Sequence, residues 1–197
     1  MQLLYSPMSP FARKVRIVAH EVGLTDRVEI CVVNAWTDET IRAVNPLAKI
    51  PCMLTDDGEP LHDSRVICEY LDSLAGAGLF PTGEARWRAL TLQSLADGLG
   101  DAAVRAVMEG RRDEGDRHLD VVERQMKAIN AALDAFEQQG LSDDSFRIGE
   151  IAVAAQLGYL DFRKVLDWRG GRPGLAGWYE AAARRDSMVA TEPRQLV

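Results

Sequence analysis

The sequence has little histidine and cysteine. The three histidines lie far apart in the chain, and the three cysteines are widely spaced, with no CxxC pair. Metal sites built from these residues bring several of them together at short spacing, so we expect no metal. An odd number of unpaired cysteines is typical of reduced thiols, which predicts a cytoplasmic protein.

The sequence also lacks an excess of positive charge and any long apolar run. Its formal net charge is -7, and no apolar stretch approaches the roughly 20 residues that cross a membrane as a helix. Nucleic acids and anionic membranes are bound by clustered lysine and arginine. We therefore expect neither a nucleic acid nor a membrane as partner, and the first residues do not have the pattern of a signal peptide.

The first residues combine a short strand pattern with a strong helix start. Residues 3–5 are apolar, a turn containing proline follows, and Ser9 and Pro10 precede a helical spacing of apolar residues that Gly23 ends. Serine is a preferred N-cap, and proline suits the first helical position. The Ser9 hydroxyl is thus predicted at the positive end of a helix dipole, where a thiolate or another anion is stabilised.

Two roles for Ser9 follow from this position. Its oxygen can cap the helix by accepting a hydrogen bond from a backbone amide, which is the common role of such serines. Its hydroxyl can instead serve a bound anion. The stretch by itself leaves both interpretations open.

The chain as far as residue 75 alternates between strand and helix patterns. The predicted elements are a strand over 28–33, a loop with a short helix over 34–44, a strand that begins at Pro51, a strand near 60–62 and a helix that begins at Asp63 and Ser64. This order is typical of a compact α/β unit with a mixed sheet.

Only helical patterns follow residues 76–83, a segment rich in glycine that we interpret as a linker. The predicted helices are an amphipathic one over 119–136, one buried on all sides over 148–160 and a last one that begins near Pro173. We therefore expect an α/β domain over residues 1–75 and an all-helical domain over residues 84–197.

These features together resemble the cytosolic glutathione S-transferase superfamily, in its bacterial, serine-type form. The resemblance covers the whole chain and depends on the Ser-Pro helix start, the Ile50-Pro51 pair before a strand, the Asp-Ser helix start and the helical second part. It implies a thioredoxin-like first domain, an all-α second domain, a cis bond between Ile50 and Pro51, and a homodimer.

The resemblance also implies a set of glutathione-binding residues. The backbone of Ile50, turned toward the ligand by Pro51, would pair with the cysteinyl backbone of glutathione. Asp63 and Ser64 would hold the γ-glutamyl end at a helix N-terminus. Lys49 would reach the glycine carboxylate.

The resemblance assigns the glutathione sulfur to Ser9. Serine cannot form a mixed disulfide, so redox chemistry through a protein thiol at this position is excluded. The hydroxyl, the helix N-terminus and Arg13 would together lower the thiol pKa from about 8.5 by roughly one to two units. Ser6 is an alternative hydroxyl for the same role.

The expected function is that of a glutathione transferase, with glutathione as co-substrate, which activates the thiolate for attack on an electrophilic small molecule in detoxification. The alternatives are a glutathione-dependent thiol reductase or peroxidase and a related protein that binds partners without catalysis. By analogy with the family, the electrophile would lie between the domains, near Phe11, Asp101, Arg105 and Met108.

One position departs from the family pattern. The helix predicted over 148–160 has Glu150 as the acidic member of a capping box, but Arg147 stands where the family usually has serine or threonine. Arginine cannot accept the amide hydrogen bond. The helix either begins elsewhere or lacks about 1 kcal/mol of capping.

Overall fold

A computed structural model describes residues 1–142 and 145–195; the predicted end of the second domain at residue 197 lies outside them. The first part of the chain forms β1 (Gln2–Tyr5), α1 (Pro10–Glu21), β2 (Glu29–Val32), α2 (Thr40–Val44), β3 (Cys52–Leu54), β4 (Pro60–Leu61) and α3 (Ser64–Ala75). The second part forms α4 (Gly83–Gly110), α5 (Leu119–Gln139), α6 (Ile148–Arg163), α7 (Pro173–Ala182) and α8 (Asp186–Ala190).

The four strands form a mixed sheet in the order β2, β1, β3, β4. β1 is parallel to β2, and α1 supplies the crossover that a parallel pair requires. β1 is antiparallel to β3, with Leu4 opposite Cys52. β3 is in turn antiparallel to β4, with Met53 opposite Leu61. The predicted fold class, an α/β domain with a mixed sheet followed by a helical domain, is confirmed.

Close contact between α4 and α6 forms the centre of the helical domain. A side chain at Gly100 would overlap the Gln156 amide, and a Cβ at Gly149 would lie 2.8 Å from Cδ2 of Leu92. Later residues of α4 thus meet later residues of α6, so the two helices are parallel. Apart from the half-buried Glu150, α6 is buried on all sides from Ile148 to residue 160, as predicted.

The opposite orientation holds between α1 and α6. The Arg13 guanidinium occupies the space over Gly158, near the end of α6. At the other end of α1, the Glu21 carboxylate accepts from Nε of Arg185 at 3.0 Å, and the Arg185 guanidinium lies 4.3 Å from the ring centre of Phe146, just before α6. α1 and α6 are therefore antiparallel.

The segment between α3 and α4 is fixed to both domains. The buried Asp72 carboxylate accepts from the amides of Leu79 at 2.8 Å and Phe80 at 3.0 Å. The Leu79 carbonyl accepts from the first amide of α6, that of Ile148, at 3.2 Å. The predicted linker is thus a bonded connection.

The start of α6 decides between the two possibilities raised by the sequence, because the helix does not begin elsewhere. The helix begins where the pattern places it, with Arg147 as N-cap, and the Glu150 carboxylate accepts from the Arg147 amide at 3.1 Å. The acidic half of a capping box is therefore present.

Two expectations for the second domain are wrong. The helix that begins at Pro173 is not the last, because α8 follows it; five residues are too few to show a helical period in the sequence. The apolar spacing of the helix predicted over 119–136 places Leu119 on the face that contacts the core, but Leu119 is 74% exposed, and full burial on that face begins at Ile129. The first turns of α5 thus extend beyond the shared core.

A buried carboxylate of α4, that of Asp97, joins the two domains. Nζ of Lys14 in α1 donates to its two oxygens at 2.7 and 2.8 Å, and Nε of Arg65 in α3 donates at 2.9 Å. Lys14 is 0% exposed and Asp97 1%. Charges this far from water are tolerated only when paired, so this network fixes α4 against both α1 and α3.

We predict that Asp97→Ala lowers the free energy of unfolding by about 3 to 5 kcal/mol, because Lys14 would remain buried without a counter-charge. Urea unfolding of the variant measures this. The double variant Lys14→Met with Asp97→Leu should recover most of the loss, since it removes both charges.

The matched control is Glu123→Ala, which breaks the exposed pair that Glu123 forms with Lys127 at 2.6 Å. Exposed pairs contribute about 0 to 1 kcal/mol. Equal destabilisation by Asp97→Ala and Glu123→Ala would contradict the role assigned to the buried carboxylate.

Candidate functional site

Ser9 is the N-cap of α1 and retains an unused donor. Its backbone is extended (φ -86°, ψ 123°), and its Oγ accepts from the Ala12 amide at 3.2 Å. Among the hydrogen bonds of the described residues, none uses the Ser9 hydroxyl as donor. The capping role and the ligand role are therefore compatible, because the oxygen caps the helix and the proton stays available to a half-buried surface.

Two residues that the sequence offered beside Ser9, Ser6 as the alternative hydroxyl and Arg13 as a helper, are buried, whereas Ser9 is half-buried. Ser6 is buried, and its Oγ accepts from the Met8 amide at 3.4 Å within the turn. Nη2 of Arg13 donates to the Met188 carbonyl at 3.2 Å, and burial lowers the Arg13 pKa. Arg13 thus belongs to the contact between the domains.

Ile50 has an unused backbone edge at the start of β3. The peptide bond between Ile50 and Pro51 is cis, and Pro51 is buried. In the described part of the chain, neither the amide nor the carbonyl of Ile50 takes part in a hydrogen bond. An extended ligand could therefore pair with this backbone as an added strand would.

The N-terminus of α3 also has polar groups that form no hydrogen bond with other described residues. Asp63 is the N-cap, and its Oδ1 accepts from the Arg65 amide at 2.9 Å. Ser64 is the first helical residue and is 3% exposed, and its amide and hydroxyl form none of the hydrogen bonds found among the described residues. Free amides at a helix N-terminus favour a carboxylate. The peptide bond before Asp63 is also cis.

The sheet register brings these features to one end of the first domain. With Leu4 opposite Cys52, Ile50 lies level with the residue after β1, where the turn toward Ser9 begins. With β4 antiparallel to β3, the chain returns toward the same end and enters α3 at Ser64. Ser9, Ile50 and Ser64 therefore lie around one edge, which suits a short, extended ligand.

Lys49 is exposed and free to move toward this edge. Its carbonyl accepts from Nδ2 of Asn45 at 2.9 Å and from Sγ of Cys52 at 2.8 Å, so the loop backbone is fixed. Its ammonium group has no ion-pair partner within the described residues. A role toward a ligand carboxylate stays a prediction.

The four residues predicted to contact the electrophile do not all lie in one groove. Asp101 and Arg105 line a groove of about 630 Å³ between α4 and α5. Phe11 and Met108 are half-buried and are not part of that groove. Phe11 lies in the first turn of α1, after Ser9, and Met108 lies in the last turn of α4.

The residues that sequence reasoning missed are the charges of the buried network. Lys14 lies four residues before Val18, on the apolar face of α1, and a charged residue on such a face is a signal for a buried pair. Asp97 likewise lies among apolar and small residues of α4. Neither signal identifies the partner, which depends on how the helices cross.

The thiols of the protein are poor nucleophiles. Cys52 and Cys68 are buried, and Cys31 is half-buried. Burial raises the pKa of Cys68 to about 12 and also raises the pKa of Cys31 and of Cys52. Within residues 1–142 and 145–195, no cluster of His, Cys, Asp and Glu could hold a metal ion, and no helix is long and apolar enough to span a membrane.

We predict that iodoacetamide at pH 8 modifies Cys31 first and leaves Cys68 unmodified in the native protein. The thiolate is the reactive form, and a pKa near 12 keeps Cys68 protonated at that pH. Mass spectrometry of the labelled peptides measures this. All three cysteines should react once urea unfolds the chain, and rapid labelling of native Cys68 would contradict the assignment.

The fold and this edge define a class of protein. A thioredoxin-like domain presents an exposed backbone edge and two helix N-termini, and a helical domain is fixed to it through Asp97. Unpaired backbone groups beside a helix N-terminus are a favourable place for a small anionic ligand.

Comparison with known proteins identifies the family. Residues 8–74 match the model of the glutathione S-transferase N-terminal domain, and residues 106–181 match that of the C-terminal domain. The uncharacterized GST-like protein YibF of Escherichia coli K12 is 35% identical over 201 residues, which cover 98% of each protein. The chain belongs to the cytosolic glutathione S-transferase superfamily.

Two solved structures of a glutathione transferase family member from Pseudomonas fluorescens Pf-5 are 40% identical to the chain. One contains bound glutathione, has a TM-score of 0.95, and is matched over 98% of this chain and 99% of its own. The other contains bound S-(propanoic acid)-glutathione, has a TM-score of 0.90, and is matched over 99% and 100%.

Proposed function

We propose that the protein is a cytoplasmic glutathione transferase in which Ser9 stabilises the thiolate of bound glutathione. The observation that carries this proposal is the unused donor of the Ser9 hydroxyl, at the N-terminus of α1 and beside an open backbone edge. The bound glutathione of the Pseudomonas relative supports the choice of ligand.

The tripeptide would lie along the edge described above. The Ile50 backbone pairs with the cysteinyl residue, and Ser64 with the free amides of α3 receives the γ-glutamyl carboxylate. The Asp63 carboxylate faces the α-ammonium group. Lys49 reaches the glycine carboxylate. This placement directs the sulfur toward Ser9.

The chemistry follows from the pKa of the sulfur. A free thiol with a pKa of about 8.5 is only a few per cent ionised at neutral pH. Each unit by which the site lowers that pKa corresponds to about 1.4 kcal/mol of preference for the thiolate. A hydrogen bond from the Ser9 hydroxyl and the dipole of α1 both favour the anion.

The thiolate would then attack an electrophilic carbon and form a C–S bond. Phe11 and Met108 are our candidates for contact with the electrophile, since both are half-buried and Phe11 adjoins the Ser9 turn. The S-(propanoic acid)-glutathione in the second Pseudomonas structure is a molecule with such a bond. Asp101 and Arg105 line the groove between α4 and α5, and their contact with the electrophile stays a prediction. A role in detoxification fits this reaction.

We also propose a homodimer. A groove of about 660 Å³ between α4 and α5 is lined mostly by apolar side chains, including Leu90 and Leu95, and Trp87 at its edge is 67% exposed. Exposed apolar surface of this kind is typical of an interface. The α/β domain of one chain would cover the helical domain of the other.

We predict that Ser9→Ala raises the pKa of the bound glutathione thiol and lowers kcat/KM for a chlorinated nitroarene about tenfold or more. The affinity for glutathione should change little, because the backbone and carboxylate contacts remain. Ultraviolet titration of the bound thiolate against pH measures the shift, and the thiolate signal should appear at higher pH in the variant.

Ser6→Ala is the matched control, since it removes the alternative hydroxyl from the same turn. It should leave the titration unchanged. If Ser9→Ala titrates as the unmodified protein does, Ser9 has no part in the mechanism. A shift in Ser6→Ala alone would assign the sulfur to Ser6.

A further inference from the structure

Arg163, the last residue of α6, has an unused buried donor. Its Nε is buried and has no hydrogen-bond partner within the described residues. The guanidinium lies 4.8 Å from the ring centre of Phe162 and 5.7 Å from that of Tyr159. A guanidinium held against aromatic rings in this way is pre-positioned for a planar anion.

The helix register directs Arg163 toward the end of α4. Arg163 follows Gln156 by seven residues, about two turns, so both lie on the same face of α6. Gln156 contacts α4 at Gly100, and the two helices are parallel. Arg163 therefore faces the last turns of α4, at the level of Met108.

The same register brings Arg163 to the Ser9 end of α1. Arg13 lies over Gly158, and α1 is antiparallel to α6. One turn back from Arg13 is Ser9, and one turn beyond Gly158 is Phe162. Phe162 and Arg163 thus lie at the end of α6 that adjoins the proposed position of the sulfur.

A second arginine reinforces the positive charge at this place. Arg111 directly follows α4, at the end that Arg163 faces. Burial raises the Tyr159 pKa, and the charges of Arg163 and Arg111 oppose that effect. Neither arginine has a carboxylate partner in the part of the chain that the structure describes. Glu109, the acid nearest to Arg111 in the sequence, pairs with Arg112 at 3.4 Å.

We propose that Arg163, assisted by Arg111, binds a carboxylate on the electrophile, so that the substrates are small electrophiles that carry a carboxylate. This proposal rests on the proposed function. When the electrophile is an α,β-unsaturated acid, the addition of glutathione needs no oxidant or reductant. The thiolate adds to the β-carbon, the C–S bond forms as the C=C π bond breaks, and a solvent proton goes to the α-carbon.

The test compares two glutathione conjugates that differ only in charge. S-(2-carboxyethyl)glutathione carries the carboxylate, and S-(2-carbamoylethyl)glutathione is its neutral isostere. Calorimetry should show that the unmodified protein binds the carboxylate conjugate at least about tenfold more tightly. Arg163→Gln should abolish that preference without weakening the neutral conjugate, and Arg163→Lys should retain part of it.

Arg88→Gln is the matched control, because Arg88 is an exposed arginine of α4, roughly 34 Å along the helix axis from Arg111, which follows the last residue of α4. It should keep the full preference. Arg111→Gln should reduce it, which provides a second variant if Arg163→Gln does not fold by circular dichroism.

Equal affinity of the unmodified protein for the two conjugates would overturn this inference and leave glutathione binding intact. A preference that survives in both Arg163→Gln and Arg111→Gln would also overturn it. Failure to bind glutathione itself would overturn the proposed function, so the two failures are distinguishable.

Discussion

The Asp97 carboxylate is the charge that both domains share. The N-termini of α1 and α3 form part of the candidate site. Each of these helices also provides one ion pair to the Asp97 carboxylate, through Lys14 of α1 and Arg65 of α3. Because Lys14 and Asp97 are both buried, separating their charges would strongly destabilise the fold. The relative position of Ser9 and Ser64 is thereby tied to the helical domain, where the electrophile is proposed to bind.

Much of the fold could be predicted from local signals. The Ser-Pro pair marked the start of α1, Pro51 marked the start of β3, and continuous apolar sequence marked the buried helix α6. The candidate site on the α/β domain was predicted from the resemblance to a family, and the features that carry that resemblance, two helix starts and a strand start, are likewise local. These are properties of short segments, and short segments are what sequence patterns report.

The rest depends on how helices cross, which no local pattern encodes. Arg13 was expected near the sulfur, but the close approach of α1 to Gly158 takes it into the contact between domains. The sequence suggests no binding role for Arg163, because a charged residue at a helix end is ordinary. Its position opposite the end of α4 appears only from the register of three helices.

The central claim is that the site holds the glutathione sulfur as a thiolate. Calorimetry of glutathione binding near pH 7, repeated in buffers of different ionisation enthalpy, counts the protons released. The account predicts release of a substantial fraction of a proton with glutathione and none with S-methylglutathione, which has no thiol to ionise. Binding of glutathione without proton release, or no binding at millimolar concentration, would contradict it.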